Sequence, residues 1–311
     1  MVYIYDIIDN IRSSATNFAL VNRMALGGDM QLGVNLLCAT GFVEKEHRPL
    51  LEAAAEAEYD GVEIPVLDGD PDHYAKLARI LDDLALNRTC TAIIPTPQSD
   101  PTSFDPGIRK QGIAHLDWIM ECALALEAET IGGPFHAPIG HFTGSGPTDD
   151  EWKRGAEAHR AMAEKVAPSG IKLALEPLNR FETYFLNTAA QASAYCDLVD
   201  HPAFGIMYDT FHSHIEEKDQ IQAVDRLSGK IHVLHISEND RGIPGTGQID
   251  FPEIIGAVKK TGFDGWVVME AFGSGVPELA AATRIWRPMF ESHETLFQES
   301  ANYIRDVWNA A

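Results

Sequence analysis

Several features that mark other classes of protein are missing from this chain of 311 residues. It has no stretch of 18 apolar residues, so the sequence predicts no membrane-spanning helix. Only four cysteines occur, Cys38, Cys90, Cys122 and Cys196, and their spacing matches neither a CxxC pair nor a zinc motif. Cysteines so thinly spread along a long chain indicate reduced thiols in a cytoplasmic protein rather than a disulfide framework.

Positive charge is also scarce. Lysine and arginine together number 24, aspartate and glutamate 46, and the net charge is −22. A surface this acidic repels nucleic acid and anionic membranes unless positive charge is concentrated locally, and no run of basic residues suggests such a patch. The composition therefore predicts neither a nucleic acid nor a membrane as partner.

Two phosphate-binding motifs are absent as well. No GxGxxG follows the first strand-like segment, which weighs against a dinucleotide-binding fold. The glycine-rich segment RGIPGTG at 241–247 lacks the Lys-Ser/Thr pair of a P-loop. We interpret that segment as a shaped turn.

What the sequence does contain is a regular alternation of short apolar runs and helix-period segments. Eight such units fit a single (β/α)8 TIM barrel better than a doubly wound open sheet, which is the second choice. No linker rich in proline, glycine or serine divides the chain. The eight predicted strands lie at 31–38, 61–67, 88–95, 129–135, 171–178, 204–210, 231–237 and 265–272.

The two ends of the chain lie outside this alternation. Residues 1–29 lack the basic start and apolar run of a secretory signal. Gly27-Gly28-Asp29 would be encoded by purine-rich codons, like a ribosome-binding site before Met30. Residues 1–29 are thus either a mis-assigned extension or a segment that packs on the barrel. Residues 30–311 are predicted to form the barrel, with a helical tail from about 277.

Ionisable residues stand at the ends of four consecutive predicted strands. Strands five to eight end in Glu176, Asp209, His235 and Glu270. A single strand-end carboxylate is usually a helix cap or an ion-pair partner, but active-site residues of a barrel lie at this face. Three carboxylates in a mouth of low dielectric repel one another unless a cation neutralises them. The pattern therefore predicts a divalent metal site with an active site at strands five to eight.

The donor types narrow the identity of the metal. Three carboxylates and one imidazole are mostly hard oxygen donors. This set suits Mn²⁺ or Mg²⁺, with Co²⁺ also compatible, better than a closed thiolate zinc site. Mn²⁺ is the first choice.

Three further polar residues are predicted to bind a ligand rich in hydroxyl and carbonyl groups: Glu182, His212 and Arg241. The alternatives are a helix cap for Glu182 and, for Arg241, an ion pair with Asp240 or with a neighbouring carboxylate. The neighbouring His214, Glu216 and Glu217 are interpreted as a solvated helix start. His136 and His141, after the fourth strand, are weaker candidates for the mouth of the site.

The motifs that carry these residues resemble those of one family. ALEPLNRFETYFLNT, YDTFHSHIEE, HISENDRGIPGTG and VMEAF are similar to the corresponding segments of the ketose 3-epimerases. This family includes D-tagatose and D-psicose 3-epimerases and belongs to the xylose-isomerase-like barrel superfamily. The likeness is strong over strands five to eight and weak before them. Ser213 and His214 depart from the family pattern beside the site, so they are expected to affect what it accepts.

The resemblance implies roles for the candidate residues. Glu176, Asp209, His235 and Glu270 would bind the metal. Glu176 and Glu270 would also act as the acid/base pair that inverts C3 of a free ketose through a cis-enediolate, while Glu182, His212 and Arg241 would hold the sugar. The natural sugar, of D-tagatose, D-psicose or L-ribulose type, stays open. The resemblance further implies a homodimer or homotetramer.

Other functions share the same barrel. An aldose–ketose or hydroxypyruvate isomerase and an inosose dehydratase would keep the metal and both glutamates. A nuclease of the endonuclease IV type would need more histidine ligands and a basic groove, against which the net charge argues. A sugar-binding barrel without catalysis would not require both glutamates.

Overall fold

The computed structural model describes residues 30–311 as a closed barrel of eight parallel strands in chain order. The first strand pairs with the second and with the eighth, which closes the barrel. This confirms the predicted fold, and each of the eight predicted strands is present. The strands are β1 Gln31–Asn35, β2 Gly61–Pro65, β3 Asn87–Thr91, β4 Thr130–Gly133, β5 Lys172–Leu175, β6 Phe204–Asp209, β7 Ile231–Ile236 and β8 Trp266–Met269.

Helices surround the barrel, and polar side chains define where several of them begin. Thr148 and Thr188 each form a reciprocal capping box with the residue three positions on, which satisfies backbone groups of the first turn. Asp70 accepts a hydrogen bond from the backbone of its helix just before a proline. The helices are α1 Arg48–Glu56, α2 Pro71–Asp83, α3 Pro106–Leu126, α4 Asp149–Val166, α5 Ala189–Val199, α6 Thr210–Glu216, α7 Gln220–Arg226, α8 Phe251–Lys260, α9 Pro277–Thr283 and α10 His293–Ala310.

The apolar core has two layers. The larger one lies between strands and helices, and a separate small cluster comprises Ala174, Met207, Val233, Trp266 and Val268. Alternate residues of a strand face opposite sides, so this small cluster fills the barrel interior. Small residues leave room for it: a Cβ at Gly132 would overlap Cε of Met207. The floor of the barrel is therefore packed, and the free space lies at its mouth.

Three details differ from the prediction. The predicted β1 run of 31–38 ends at Asn35, whose side chain accepts from the backbone of Leu37 and starts a short 3-10 turn. A helix, α6, follows β6 directly, although no helical period marks it. The tail from 277 is two helices, α9 and α10, rather than one.

The hypothesis about residues 1–29 lies outside the described residues. No helix within 30–311 is both long and apolar enough to cross a membrane. All four cysteines are buried as free thiols.

Candidate active site and metal centre

Four ionisable side chains meet at the mouth formed by β5 to β8. Asp209 and His235 lie at the ends of β6 and β7, while Glu176 and Glu270 directly follow β5 and β8. The backbone N–H groups of Glu176 and Glu270 still donate to carbonyls of the neighbouring strands, which fixes both residues to the barrel. None of the four is more than 5% exposed. The structure thus brings together the residues predicted from the strand ends.

Their donor atoms form two overlapping groups that share Asp209. Glu176, Asp209 and His212 form one, and Asp209, His235 and Glu270 the other; the donor atoms within each lie within 4.8 Å of one another. Nδ1 of His235 is 3.7 Å from Oδ2 of Asp209 and 3.5 Å from Oε1 of Glu270. Oδ1 of Asp209 accepts from the backbone N–H groups of Phe211 and His212 in the first turn of α6, at 2.6 Å and 3.0 Å, so Oδ2 is the oxygen that faces the cluster.

The cluster is rich in buried negative charge. One guanidinium, that of Arg241, contacts Asp209 and Glu270. Burial works against ionisation of Glu270, yet Arg241 and His235 outweigh it and hold the pKa of Glu270 at about 2. Burial and the neighbouring carboxylates Glu270 and Asp209 instead raise the pKa of Glu176 well above its usual range. A bound divalent cation would offset the repulsion among the carboxylates of Glu176, Asp209 and Glu270, so that all three could stay ionised.

One atom in particular fits a metal ligand. Nδ1 of His235 is a buried nitrogen with no hydrogen-bond partner among residues 30–311. The other ring nitrogen, Nε2, lies 2.8 Å from Oε1 of Glu63, a carboxylate on β2 with no exposed surface. Burial disfavours charge on the ring, but Glu63 and Glu270 overcome it and raise the pKa of His235. A carboxylate behind an imidazole is the arrangement that orients metal-binding histidines, so the donor set fits a cation in front of Nδ1.

We expect removal of the Glu63 carboxylate to weaken metal binding. In Glu63→Ala, His235 loses the acceptor that orients its ring, and the affinity for Mn²⁺ should fall about 100-fold; in Glu63→Gln the amide oxygen still accepts, and the loss should be nearer tenfold. Titration calorimetry of the metal-free proteins measures this directly. Glu52→Gln, at an exposed position of α1, should bind Mn²⁺ as the parent does. Unchanged affinity in folded Glu63→Ala would contradict the assigned role.

The three residues predicted to bind the ligand line one cavity with the two glutamates. This cavity has a volume of about 180 Å³ and contains Glu176, Glu182, His212, Arg241 and Glu270 on its polar side. Its other walls are mainly apolar. They include Leu37, Leu67, Ile93, Pro134, Ile139, Leu178, Phe272 and Leu279.

Asn179, for which no sequence pattern predicts a role, connects two of these residues. Its backbone N–H donates to Nδ1 of His212 at 3.0 Å, and its side-chain Nδ2 donates to Oε1 of Glu182 at 2.8 Å. Burial lowers the pKa of His212 to about 3, so the ring is neutral. Because Nδ1 accepts, we assign the single proton of the neutral ring to Nε2, which lies 3.4 Å from Oε1 of Glu176 and 3.1 Å from Nη2 of Arg241. Glu182 is therefore held by a loop amide and is not a helix cap.

The loop after β7 presents Arg241 to the cavity. Nη1 of Arg241 donates to Oγ of Ser237 at 2.8 Å, and its guanidinium stacks 3.8 Å above the ring of Phe211. The fully buried Glu238 shapes this loop, because its carboxylate accepts backbone N–H groups from residues 239, 245, 248 and 249. The glycine-rich segment is thus a turn wrapped around a carboxylate, as interpreted from the sequence. Arg241 forms ion pairs with Asp209 and Glu270, so a bridge to neighbouring carboxylates, and not the one to Asp240, is present.

Several weaker predictions about nearby residues need correction. Ser213 lies beside the cluster in sequence, but its hydroxyl donates to the carbonyl of Thr210 and accepts from Gln220. Ser213 therefore supports α6 and does not face the cavity. His214 is exposed, as predicted for a solvated residue, but it lies within α6 and not at a helix start. Glu216 and Glu217 lie at the end of α6 and not at a helix start. Their carboxylates bind Arg180 and the backbone of Ala189, respectively.

The two histidines after β4 differ from each other. His136 is fully buried, and its Nε2 lies 3.1 Å from the carbonyl oxygen of Glu176, so it supports the backbone of that residue. Burial lowers the pKa of His136 to about 3. His141 is exposed. Neither lines the cavity described above.

Sequence patterns missed two polar residues of the first two strands, Asn35 and Glu63. Both are completely buried, Asn35 at the end of β1 and Glu63 in the middle of β2, and they are register partners. Glu63 could have been predicted to contact another polar residue, because it is a charged residue inside the apolar run GVEIPV and a buried carboxylate requires a partner. Asn35, an uncharged polar residue inside the apolar run QLGVNLLC, indicated a buried polar contact less clearly.

Comparison with known proteins identifies the family. The sequence profile described as "Xylose isomerase-like TIM barrel" matches residues 51–307. This chain belongs to that family. A probable ketose 3-epimerase of Synechocystis sp. is 32% identical over 250 residues, which cover 80% of this chain and 87% of that protein. The ketose 3-epimerase of Arthrobacter globiformis is 31% identical over 288 residues, covering 90% and 98%.

Solved structures agree with this assignment. A structure of L-ribulose 3-epimerase superposes with a TM-score of 0.83 at 29% identity, covering 91% of this chain and 95% of that one. The D-allulose 3-epimerase of Methylomonas sp., in complex with D-allulose, gives 0.83 at 27% identity and covers 89% and 96%. The chain is a member of the ketose 3-epimerases, an isomerase of the epimerase class, as its motifs indicated.

Proposed function

We propose that this protein is a metal-dependent epimerase that inverts C3 of a free ketose. The observation that carries the proposal is the convergence of two buried glutamates, Glu176 and Glu270, on one cavity. Each of the two also belongs to a group of donor atoms that could hold a cation, and Asp209 is common to both groups. Glu176, Asp209, His235 and Glu270 would hold the cation. Hard oxygen donors predominate in this set, which favours Mn²⁺, with Mg²⁺ and Co²⁺ as alternatives.

The two glutamates would perform the proton transfers. They follow β5 and β8, with β6 and β7 between them around the mouth, and can therefore approach a flat enediolate from different sides. One removes the C3 proton on one face, and the other returns a proton on the opposite face, which inverts the centre. A divalent cation in this site would stabilise the negative charge that develops on the substrate oxygens.

The remaining polar groups would orient the sugar. Glu182 would accept hydrogen bonds from hydroxyl groups of the sugar. The neutral ring of His212 and the charged guanidinium of Arg241 would donate hydrogen bonds to its oxygen atoms. Among the described residues that line the cavity, Arg241 is the only lysine or arginine. Its positive charge is already paired with the carboxylates of Asp209 and Glu270. No unpaired cation is thus offered to a phosphate, which supports an unphosphorylated ketose of D-tagatose, D-psicose or L-ribulose type as substrate.

A panel of free ketoses tests the proposal. Protein loaded with Mn²⁺ should convert at least one of D-tagatose, D-psicose, D-fructose and L-ribulose into its C3 epimer, identified by chromatography and NMR. The phosphorylated forms should react far more slowly. An aldose as sole product would indicate an aldose–ketose isomerase, and a dehydrated product a dehydratase; either would overturn the proposal.

A further inference from the structure

A buried amide on the strand next to β8 contacts Glu270. Asn35 ends β1 and has no exposed surface. Its Nδ2 donates to Oε1 of Glu270 at 3.0 Å, and its Oδ1 accepts from the backbone N–H of Leu37 at 2.9 Å. Because β1 pairs with β8, with Val34 opposite Met269, Asn35 stands beside Glu270 where the barrel closes.

The direction of the amide is fixed by its own backbone. The N–H of Leu37 can only donate, so the oxygen of Asn35 must face it and the NH₂ group must face Glu270. An unpaired amide would be costly at this depth, so this contact holds both partners in place. Asn35 is therefore oriented before any substrate enters.

The two glutamates are held differently. Both carboxylate oxygens of Glu270 receive a donor, Oε1 from Asn35 and Oε2 from Arg241. The nearest donor recorded for the Glu176 carboxylate is Nε2 of His212, at 3.4 Å, which is too long for a strong hydrogen bond. Asn35 thus contacts one glutamate of the pair and not the other.

We propose that Asn35 is a positioning residue that aims the Glu270 carboxylate at C3 of the substrate. The inference rests on the proposed function, in which Glu176 and Glu270 serve opposite faces of C3. Loss of Asn35 would then raise the barrier for proton transfer to and from Glu270 and leave the Glu176 barrier unchanged. A displacement of about 1 Å in such a group can cost about 100-fold in rate.

This selectivity has a kinetic signature. The epimer that loses its proton to Glu270 would meet the raised barrier in its first step, so its primary isotope effect should increase. The other epimer would lose its proton to Glu176, and the slower protonation of the intermediate by Glu270 would then limit its rate. Its primary isotope effect should therefore decrease towards 1. That second epimer should also exchange its C3 hydrogen with solvent faster than it forms product.

The test compares Asn35→Ser with the parent protein, both loaded with Mn²⁺. Serine can still cap the turn at Leu37, but it is too short to reach Glu270. We expect kcat/KM to fall about 10- to 100-fold. The isotope effects measured with the two C3-deuterated epimers should move in opposite directions. Asn35→Asp, which keeps the size and replaces the donor by a carboxylate, should show the same opposed changes if the serine variant folds poorly.

Val34→Ala is the matched control. Val34 is equally buried on β1 but belongs to the core between strands and helices. This variant should lower thermal stability while both isotope effects stay at the parent values. Isotope effects in Asn35→Ser and Asn35→Asp that are unchanged, or that shift in the same direction, would overturn the inference. A parent protein that forms no C3 epimer would instead refute the proposed function.

Discussion

Replacement of either Glu176 or Glu270 by glutamine should lower kcat for C3 epimerisation about 10²- to 10⁴-fold. Glutamine keeps the shape of the side chain but cannot take up a proton. Both residues are almost completely buried beside the same cavity, so water cannot readily substitute for the missing base. Steady-state kinetics with the ketose chosen from the panel measure the effect.

Metal content must be measured in the same preparations, because both glutamates belong to the proposed ligand set. Each variant should therefore be assayed at saturating Mn²⁺. Glu164→Gln is a matched control, since Glu164 is an exposed residue on α4. It should retain the parent kcat. Normal turnover in either metal-saturated glutamine variant of the pair would remove that residue from the acid/base role.

Removal of divalent metal should abolish turnover and lower thermal stability. Without a cation, three carboxylates and an imidazole face one another with Arg241 as the neutralising side chain. A cation that binds only the folded protein stabilises it by about 2.7 kcal/mol when its concentration is 100 times Kd. Dialysis against a chelator, followed by an activity assay and thermal unfolding, measures both effects.

Addition of Mn²⁺ to the dialysed protein should restore activity and melting temperature together. Mg²⁺ and Co²⁺, tested separately, would rank the compatible metals. Glu63→Ala should require more Mn²⁺ than the parent for the same recovery, since the orientation of His235 depends on Glu63. Full activity in protein from which all metal has been removed would contradict a metal-dependent mechanism.

The eight strands and the four residues at the ends of β5 to β8 could be predicted because local patterns specify them. Apolar runs between helix-period segments mark strands, and in a barrel the carboxyl ends of the strands meet at one face. Glu176, Asp209, His235 and Glu270 therefore had to lie near one another once the fold was recognised. Their burial and mutual distances agree with that expectation.

The supporting contacts could not be predicted in the same way. Asn35 contacts Glu270 across 235 positions in sequence, and Glu63 contacts His235 across 172. No local pattern encodes such pairs, because they depend on how the first two strands face the last two inside the closed barrel. Helix α6 escaped prediction for a different reason. Its cap is Asp209, a residue already assigned to the site, and the short segment TFHSHIE lacks an apolar period.

The position of deuterium after reaction in D₂O tests the central claim most directly. The substrate is the ketose that the Mn²⁺-loaded protein converts, and the product is analysed by NMR at each carbon. Proton exchange through two glutamates on opposite faces of C3 predicts a C3 epimer that carries deuterium at C3 and none at C1. Deuterium at C1 or C2, or a C3 epimer with no solvent deuterium at C3 after long incubation, would contradict the account.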